Sequence, residues 1–164
     1  MSSGIPAVSE LIEQVKRKWT SESVTIRPGV SVAALQEFEL CYHIQLPADL
    51  REYFLAMDGM NHWDMCDDCF SFLPLDGVKA VSEEIATFGG VPDYREIVWT
   101  LPDSRDWYVI VDFLISSAVY AIRMKSGADG NPVILINDGT TVRTVAPSFR
   151  GFLHAYLTDQ LSLY

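Results

Sequence analysis

Histidine is scarce in this chain of 164 residues: His43, His62 and His154 are all it has. The common catalytic signatures are also missing, with no G-x-S-x-G, H-E-x-x-H, Walker loop or G-x-G-x-x-G anywhere. The histidines fall at a helix end, in a loop and on the polar face of the last helix. Ser104 with Asp103 and Asp106 could be drawn as part of a hydrolase, but nothing places a histidine beside them, so that run reads as a solvated turn. "GADGN" carries too few acids for a calcium loop. No catalytic residue and no cofactor is expected.

Long hydrophobic runs are lacking too. The longest, "WYVIVDFLI", is too short for a membrane span and is interrupted by Asp112. The N-terminus "MSSGIPAVSE" has neither a basic n-region nor an apolar h-region, so no signal peptide is expected and the cytoplasm is the expected location. Three cysteines, an odd number, suit reduced thiols better than a disulfide framework. Basic charge is in short supply: 12 Lys and Arg stand against 22 Asp and Glu, a net charge of −10. That surface repels nucleic acid and anionic membrane and favours a basic protein partner. The imbalance is local. No Lys or Arg lies between Arg51 and Lys79, where Glu52, Asp58, Asp64, Asp67, Asp68 and Asp76 all fall.

What is present is a globular pattern. A chain of this size buries roughly 68–70% of its unfolded surface, enough to fold as one domain over residues 1–164 without disulfide or metal. Val8, Leu11, Ile12, Val15 and Trp19 form a helical stripe with Ser9 as a plausible cap. Ser31 opens a second helix whose Val32, Leu35, Phe38 and Tyr42 can share a face. "PADLREYFLAMDG" is a third, with Leu50, Tyr53, Phe54 and Met57 buried and Gly59 as its left-handed stop. The period then changes. "FSFLPL" reads as a strand, "VKAVSEEIATF" as a short helix and "EIVWTL" as a possible strand. "DWYVIVDFLI", "AVYAIRM", "PVILIN" and "TVRTV" follow as strands, the last two joined at Asn137-Asp138-Gly139, a hairpin signal. "APSFRGFLHAYLTDQL" closes the chain as a helix with Phe149, Phe152, Leu153 and Tyr156 on one face. Helices, a strand meander and a closing helix make an α+β fold, with N-terminal and C-terminal helices packed on a curved, mainly antiparallel sheet.

The acidic window contains "GMNHWDMCDDCF", Gly59 to Phe70. His62, Cys66 and Cys69 have plausible zinc spacing, and Cys41 or His43 could complete a tetrahedron, but no second paired set exists and the core needs no metal. A redox pair fits less well, because the flanking aspartates raise thiol pKa values and a strand follows. The reading ranked first is recognition. Trp63, Met60 and Met65 supply apolar anchors, while Asp58, His62, Asp64, Asp67 and Asp68 steer a basic partner. Tyr94, Glu96, Asp103 and Asp106 repeat the mixture with Trp99 and Trp107, so the two segments would form one acidic cleft if they met on one face.

"LPADLREYFLAMDG" from Leu46 to Gly59, "FSFLPLDGV" from Phe70 to Val78 and "SFRGFLHAYL" from Ser148 to Leu157 together resemble the SUKH superfamily, which includes Smi/Knr-type cell-wall regulators and bacterial immunity proteins. The resemblance implies an α+β fold, no catalysis and binding to another protein. In bacterial members that partner is typically a polymorphic or contact-dependent toxin, often a nuclease or deaminase. Pro47, Phe54, Leu55, Gly59 and Phe152 would be framework. The C-x-x-C is no part of the family pattern, nor is the wealth of Tyr, Trp and acids between Phe88 and Trp107.

Overall fold

A computed structural model describes residues 4–84, 97, 100–124, 130–137 and 141–164. The chain enters through helix α1 (Val8–Ser21), whose Leu11, Ile12, Val15 and Trp19 are buried. Ala7 rather than Ser9 occupies the cap position, since the helix already begins at Val8. Strand β1 (Ile26–Pro28) leads to helix α2 (Val32–Tyr42), where the Ser31 hydroxyl accepts the Ala34 N–H at 3.1 Å, satisfying one of the orphan donors of the first turn. Leu35 on α2 is buried and Phe38 and Tyr42 pack against the core, but Val32 is exposed.

Helix α3 (Ala48–Ala56) ends sooner than the apolar stripe predicts. Met57 turns extended and begins strand β2 (Met57–Met60), which pairs antiparallel with β1. Gly59 does adopt the left-handed conformation, but inside that strand rather than at a helix stop. Its φ is +64°, and a Cβ there would lie 2.7 Å from the Phe72 carbonyl oxygen and 2.8 Å from that of Leu73. Only glycine fits where these two backbones meet.

The larger sheet is antiparallel. Strands β5 (Trp107–Phe113), β6 (Ala118–Arg123), β7 (Val133–Asn137) and β8 (Thr141–Ala146) run side by side, and β3 (Phe70–Phe72) and β4 (Lys79–Ala80) both pair with β5, end to end along its other edge. The expected helix after Lys79 begins as a short α4 (Val81–Glu84), and its remainder lies outside the described residues. "EIVWTL" was expected as a strand, yet Ile97 and Thr100 are helical and the Leu101 N–H donates to the Ile97 carbonyl at 2.8 Å. Residues 138–140 of the hairpin signal are not described, but Asn137 and Thr141 on either side are paired as a hairpin requires. Helix α5 (Phe149–Thr158) closes the fold, with Phe149, Phe152, Leu153 and Tyr156 buried as the pattern predicts and the Ser148 hydroxyl capping Gly151 at 3.0 Å.

Both faces of the sheet are covered by apolar residues, which is why β6 reads as a nearly continuous hydrophobic run. Tyr120, Ile122, Val133 and Leu135 face α1, α3 and α5 in the main core, whereas Val109, Val119, Ala121, Ile134 and Ile136 meet Val81, Ile97 and Leu101 in a second cluster. A bulge at Ile110 breaks the alternation along β5: Val109 belongs to the second cluster, while Ile110 and Val111 both belong to the main core. Asp112 is thereby turned onto the second face instead of into the core. A bulge that re-aims one side chain in this way positions the site described next.

Candidate functional site

Among the described residues the second face is not filled along its whole length. Between the loop after β2 and the β5–β6 hairpin lies a groove of about 460 Å³, with Leu73, Val109 and Val119 on its floor and Ser71, Asp76, Lys79 and Asp112 among its polar lining. Trp63 and Met65 from the loop and Ile115 from the hairpin also line it. Trp63 is 92% exposed and Ile115 78%, extreme values for side chains of this size. Leu114, at the same hairpin tip, is also exposed.

Backbone strain explains how these side chains are held in water. Trp63 has a φ of +71°, and Leu114, Ile115 and Ser116 have values of +49°, +53° and +63° in succession. Left-handed geometry costs roughly 1–2 kcal/mol for each residue that carries a Cβ, most for a β-branched one. Asp112 offsets part of that cost: one carboxylate oxygen accepts the Ser116 N–H and the other its hydroxyl, both at 2.8 Å. Cys69, itself at φ +71°, accepts the Leu114 N–H at 3.0 Å through its carbonyl, so the two strained loops are bonded to each other. The left-handed residues of the two loops thus coincide with large apolar side chains left in solvent beside the groove.

The acids of the loop divide into two groups. His62 lies on the groove, its Nε2 3.2 Å from Asp76 Oδ1, with its ring so close to Gly77 that a Cβ there would come within 3.1 Å. Asp64 is half-buried, and its backbone carbonyl accepts the Ser71 hydroxyl. Asp67 is exposed. Asp58 and Asp68 are engaged within the protein. Asp58, expected on the surface, is buried like every residue of β2, at 5% exposure; it accepts the Leu75 N–H at 2.7 Å and Arg27 Nε at 3.3 Å. Burial raises its pKa, and the Leu75 and Arg27 contacts only partly counter that. Asp68 accepts Lys18 Nζ at 2.6 Å and Gln160 Nε2 at 3.1 Å, and these bonds hold its carboxyl below the usual range.

The C-x-x-C is split in the same way. Cys66 is buried, its sulfur accepting the Tyr156 hydroxyl at 3.3 Å, and Tyr156 in turn accepts Trp19 Nε1 at 3.0 Å. Burial pushes the Cys66 thiol up, against the help of those donors. His62, over on the groove, does not join Cys66 and Cys69 in a ligand set among the described residues.

The second expected segment falls elsewhere. Tyr94, Glu96 and Trp99 lie outside the described residues. Asp103 and Asp106 flank a short turn that enters β5, at the opposite end of that strand from Asp112. Asp106 and Asp112 are six steps apart along the chain, with five strand residues between them, roughly 20 Å, and neither Asp103 nor Asp106 lines the groove. Conversely, Ile115 and Asp112 were missed as site residues, because a hydrophobic run ending in Leu-Ile reads as more strand. The signal that could have found them is Ser116-Ser117, which leaves Leu114 and Ile115 at a hairpin tip rather than within a ladder.

A search of curated proteins returns no match to this chain. Among family models, that of the SMI1 / KNR4 family (SUKH-1) matches residues 29–155, from the end of β1 into α5. That span contains both strained loops, the whole larger sheet and most of the closing helix, and on it the chain belongs to the SMI1 / KNR4 family.

Proposed function

We propose that this chain is a non-enzymatic protein-binding module, an immunity protein that neutralises a polymorphic or contact-dependent toxin in the cytoplasm by occluding its active site. Membership of a family of generally non-catalytic immunity and regulatory proteins supports the binding role. The observation that carries the reading is the groove lined by Trp63 and Ile115, both held in solvent. Such residues act as anchors that fill pockets on a partner, and the surrounding carboxylates favour a basic one. Net charge of −10 makes a cationic nuclease or similar toxin domain the partner of choice.

The test is capture on the tagged full chain from its own cells at low salt, followed by high-salt elution and mass spectrometry. A basic toxin domain in the eluate supports immunity by occlusion; a housekeeping or cell-wall-related complex would favour a regulatory scaffold of the Smi/Knr type. With the partner in hand, salt should slow association, whereas Trp63→Ala should speed dissociation by about thirtyfold, the loss of an anchor worth roughly 2 kcal/mol.

A further inference from the structure

The spacing of His62, Cys66 and Cys69 suggests zinc, and the fold takes that set apart by placing His62 on the groove beside Asp76. Another set forms around Cys66. One ligand atom each from Glu22, Cys66 and Asp68 lie within 4.8 Å of one another. Metal–oxygen bonds of about 2.1 Å and metal–sulfur bonds of about 2.3 Å place tetrahedral ligand atoms roughly 3.4–3.8 Å apart, so a modest contraction closes the set.

A second observation points to a cation there. The Glu22 side chain is only 10% exposed, and its Oε2 is buried without a hydrogen-bond partner among the described residues. Oε1 of the same carboxylate is served twice, by Lys18 at 3.3 Å and by the Asp67 N–H at 3.2 Å, so the deficit belongs to one oxygen. A buried carboxylate oxygen left bare is costly, and an ion is among the few things that satisfy it. The sulfur is also prepared: it receives the Tyr156 hydroxyl and the backbone N–H groups of Asp68 and Phe70, donors that steady a metal-bound thiolate from outside.

Lys18 is the resident cation, 2.6 Å from Asp68 and 3.3 Å from Glu22. Its side chain is 25% exposed, which gives the ammonium a path to solvent, and it meets Oε1 of Glu22 rather than Oε2. We propose that Glu22, Cys66 and Asp68 form a binding site for a thiophilic divalent cation of the zinc class, with Lys18 swinging outward as the ion enters. The thiol proton passes to solvent as the metal–sulfur bond forms, and no electron transfer is involved. This departs from the sequence expectation of no metal and does not depend on the partner reading.

The test is titration of the full, reduced, chelator-stripped protein with Co²⁺ alone, read as sulfur-to-cobalt charge-transfer absorption and tetrahedral visible bands. Wild type and Cys69→Ala should both give the bands, Cys66→Ala should abolish them, and Lys18→Met should tighten Co²⁺ binding by about tenfold or more by removing a competing charge. Absence of a sulfur–cobalt band in both wild type and Lys18→Met overturns the site, as does a band that survives Cys66→Ala. Should Cys66→Ala fail to fold, Glu22→Gln decides: a loss of affinity of about tenfold or more upholds the site. Unchanged affinity removes it.

Discussion

Two halves of one loop, His62–Met65 and Cys66–Cys69, are built from nearly the same materials and are put to opposite uses. In the first half the indole of Trp63 stands in water and His62 borders the groove. In the second, Cys66 is buried under Tyr156, Asp68 is tied to Lys18 and Gln160, and the Asp67 N–H is fixed on Glu22. Lys18 also lies 5.6 Å from the Tyr156 ring centroid, so α1, the loop and α5 meet at one point. The anchored half is what allows the displayed half to be displayed. A loop pinned at Cys66 and Asp68 does not need to be ordered again on binding, which reduces the entropic cost of association. Acidic residues therefore do not form one class: of the loop's three aspartates the Asp68 carboxylate is tied into the protein, while Asp64 is half-buried and Asp67 exposed.

The sharpest way to break the contrast is to compare a core residue at the end of the loop with its exposed tip. Phe70 packs against the rings of Phe113, Tyr120 and Tyr156, all with centroids within 6 Å. Phe70→Ala should lower stability by about 3–5 kcal/mol in chemical denaturation, the range for a large aromatic removed from a core. Trp63→Ala should leave stability within about 0.5 kcal/mol. A large loss at Trp63 would mean that the tip packs on the protein and that the display is an illusion. Next in size is Asp58→Ala, expected to cost about 1–3 kcal/mol, because it strips the buried Leu75 N–H and Arg27 of their acceptor. If Asp58 instead tolerated alanine, its place would be with the displayed acids after all.

Much of this was legible in the sequence, for stated physical reasons. The stripe Leu11, Ile12, Val15 and Trp19 and the closing Phe149, Phe152, Leu153 and Tyr156 have the helical period, and all of them are buried. The β-branched runs of the meander became β5 to β8. What failed were features that no local period encodes. Met57 and Asp58 continue the helical pattern, but pairing with β1 draws them into a strand, so a distant partner overrides local propensity. The bulge at Ile110 is invisible because valine and isoleucine suit either face, yet it decides which way Asp112 points. The loop's acids were recognisable as a group, while their division into anchored and displayed depends on Lys18, Glu22 and Gln160, residues 50, 45 and 92 positions away from their loop partners.

A smaller effect probes the hairpin tip. Ile115 holds a left-handed φ of +53° with most of its side chain in water, so the strain is not repaid by burial. Ile115→Asn should raise stability by about 1 kcal/mol, since asparagine tolerates that backbone, while speeding release of the captured partner. Loss of stability instead would show that Ile115 packs against the protein in solution.

The smallest effect concerns Asp68 and acid. Its carboxyl is held low in the folded protein, first by the Lys18 bond and then by Gln160, so the folded state binds fewer protons than the unfolded one. That stability is present above the unfolded pKa of 3.8 and disappears as pH falls through the lower folded value. At pH 7 Asp68→Asn should therefore be less stable than wild type, by a few tenths to about 1 kcal/mol for a pair this open to solvent. Thermal melts from pH 7 downward should show the difference closing below about pH 4. Asp58 shifts the other way, so its ionisation counts against the fold as pH rises past 3.8, and it cannot mimic this behaviour. A gap that stayed constant into acid would mean that Asp68 contributes through its acceptor oxygens to Lys18 and Gln160 and not through its ionisation, leaving Cys66 beneath Tyr156 as the other pin on which the displayed half depends.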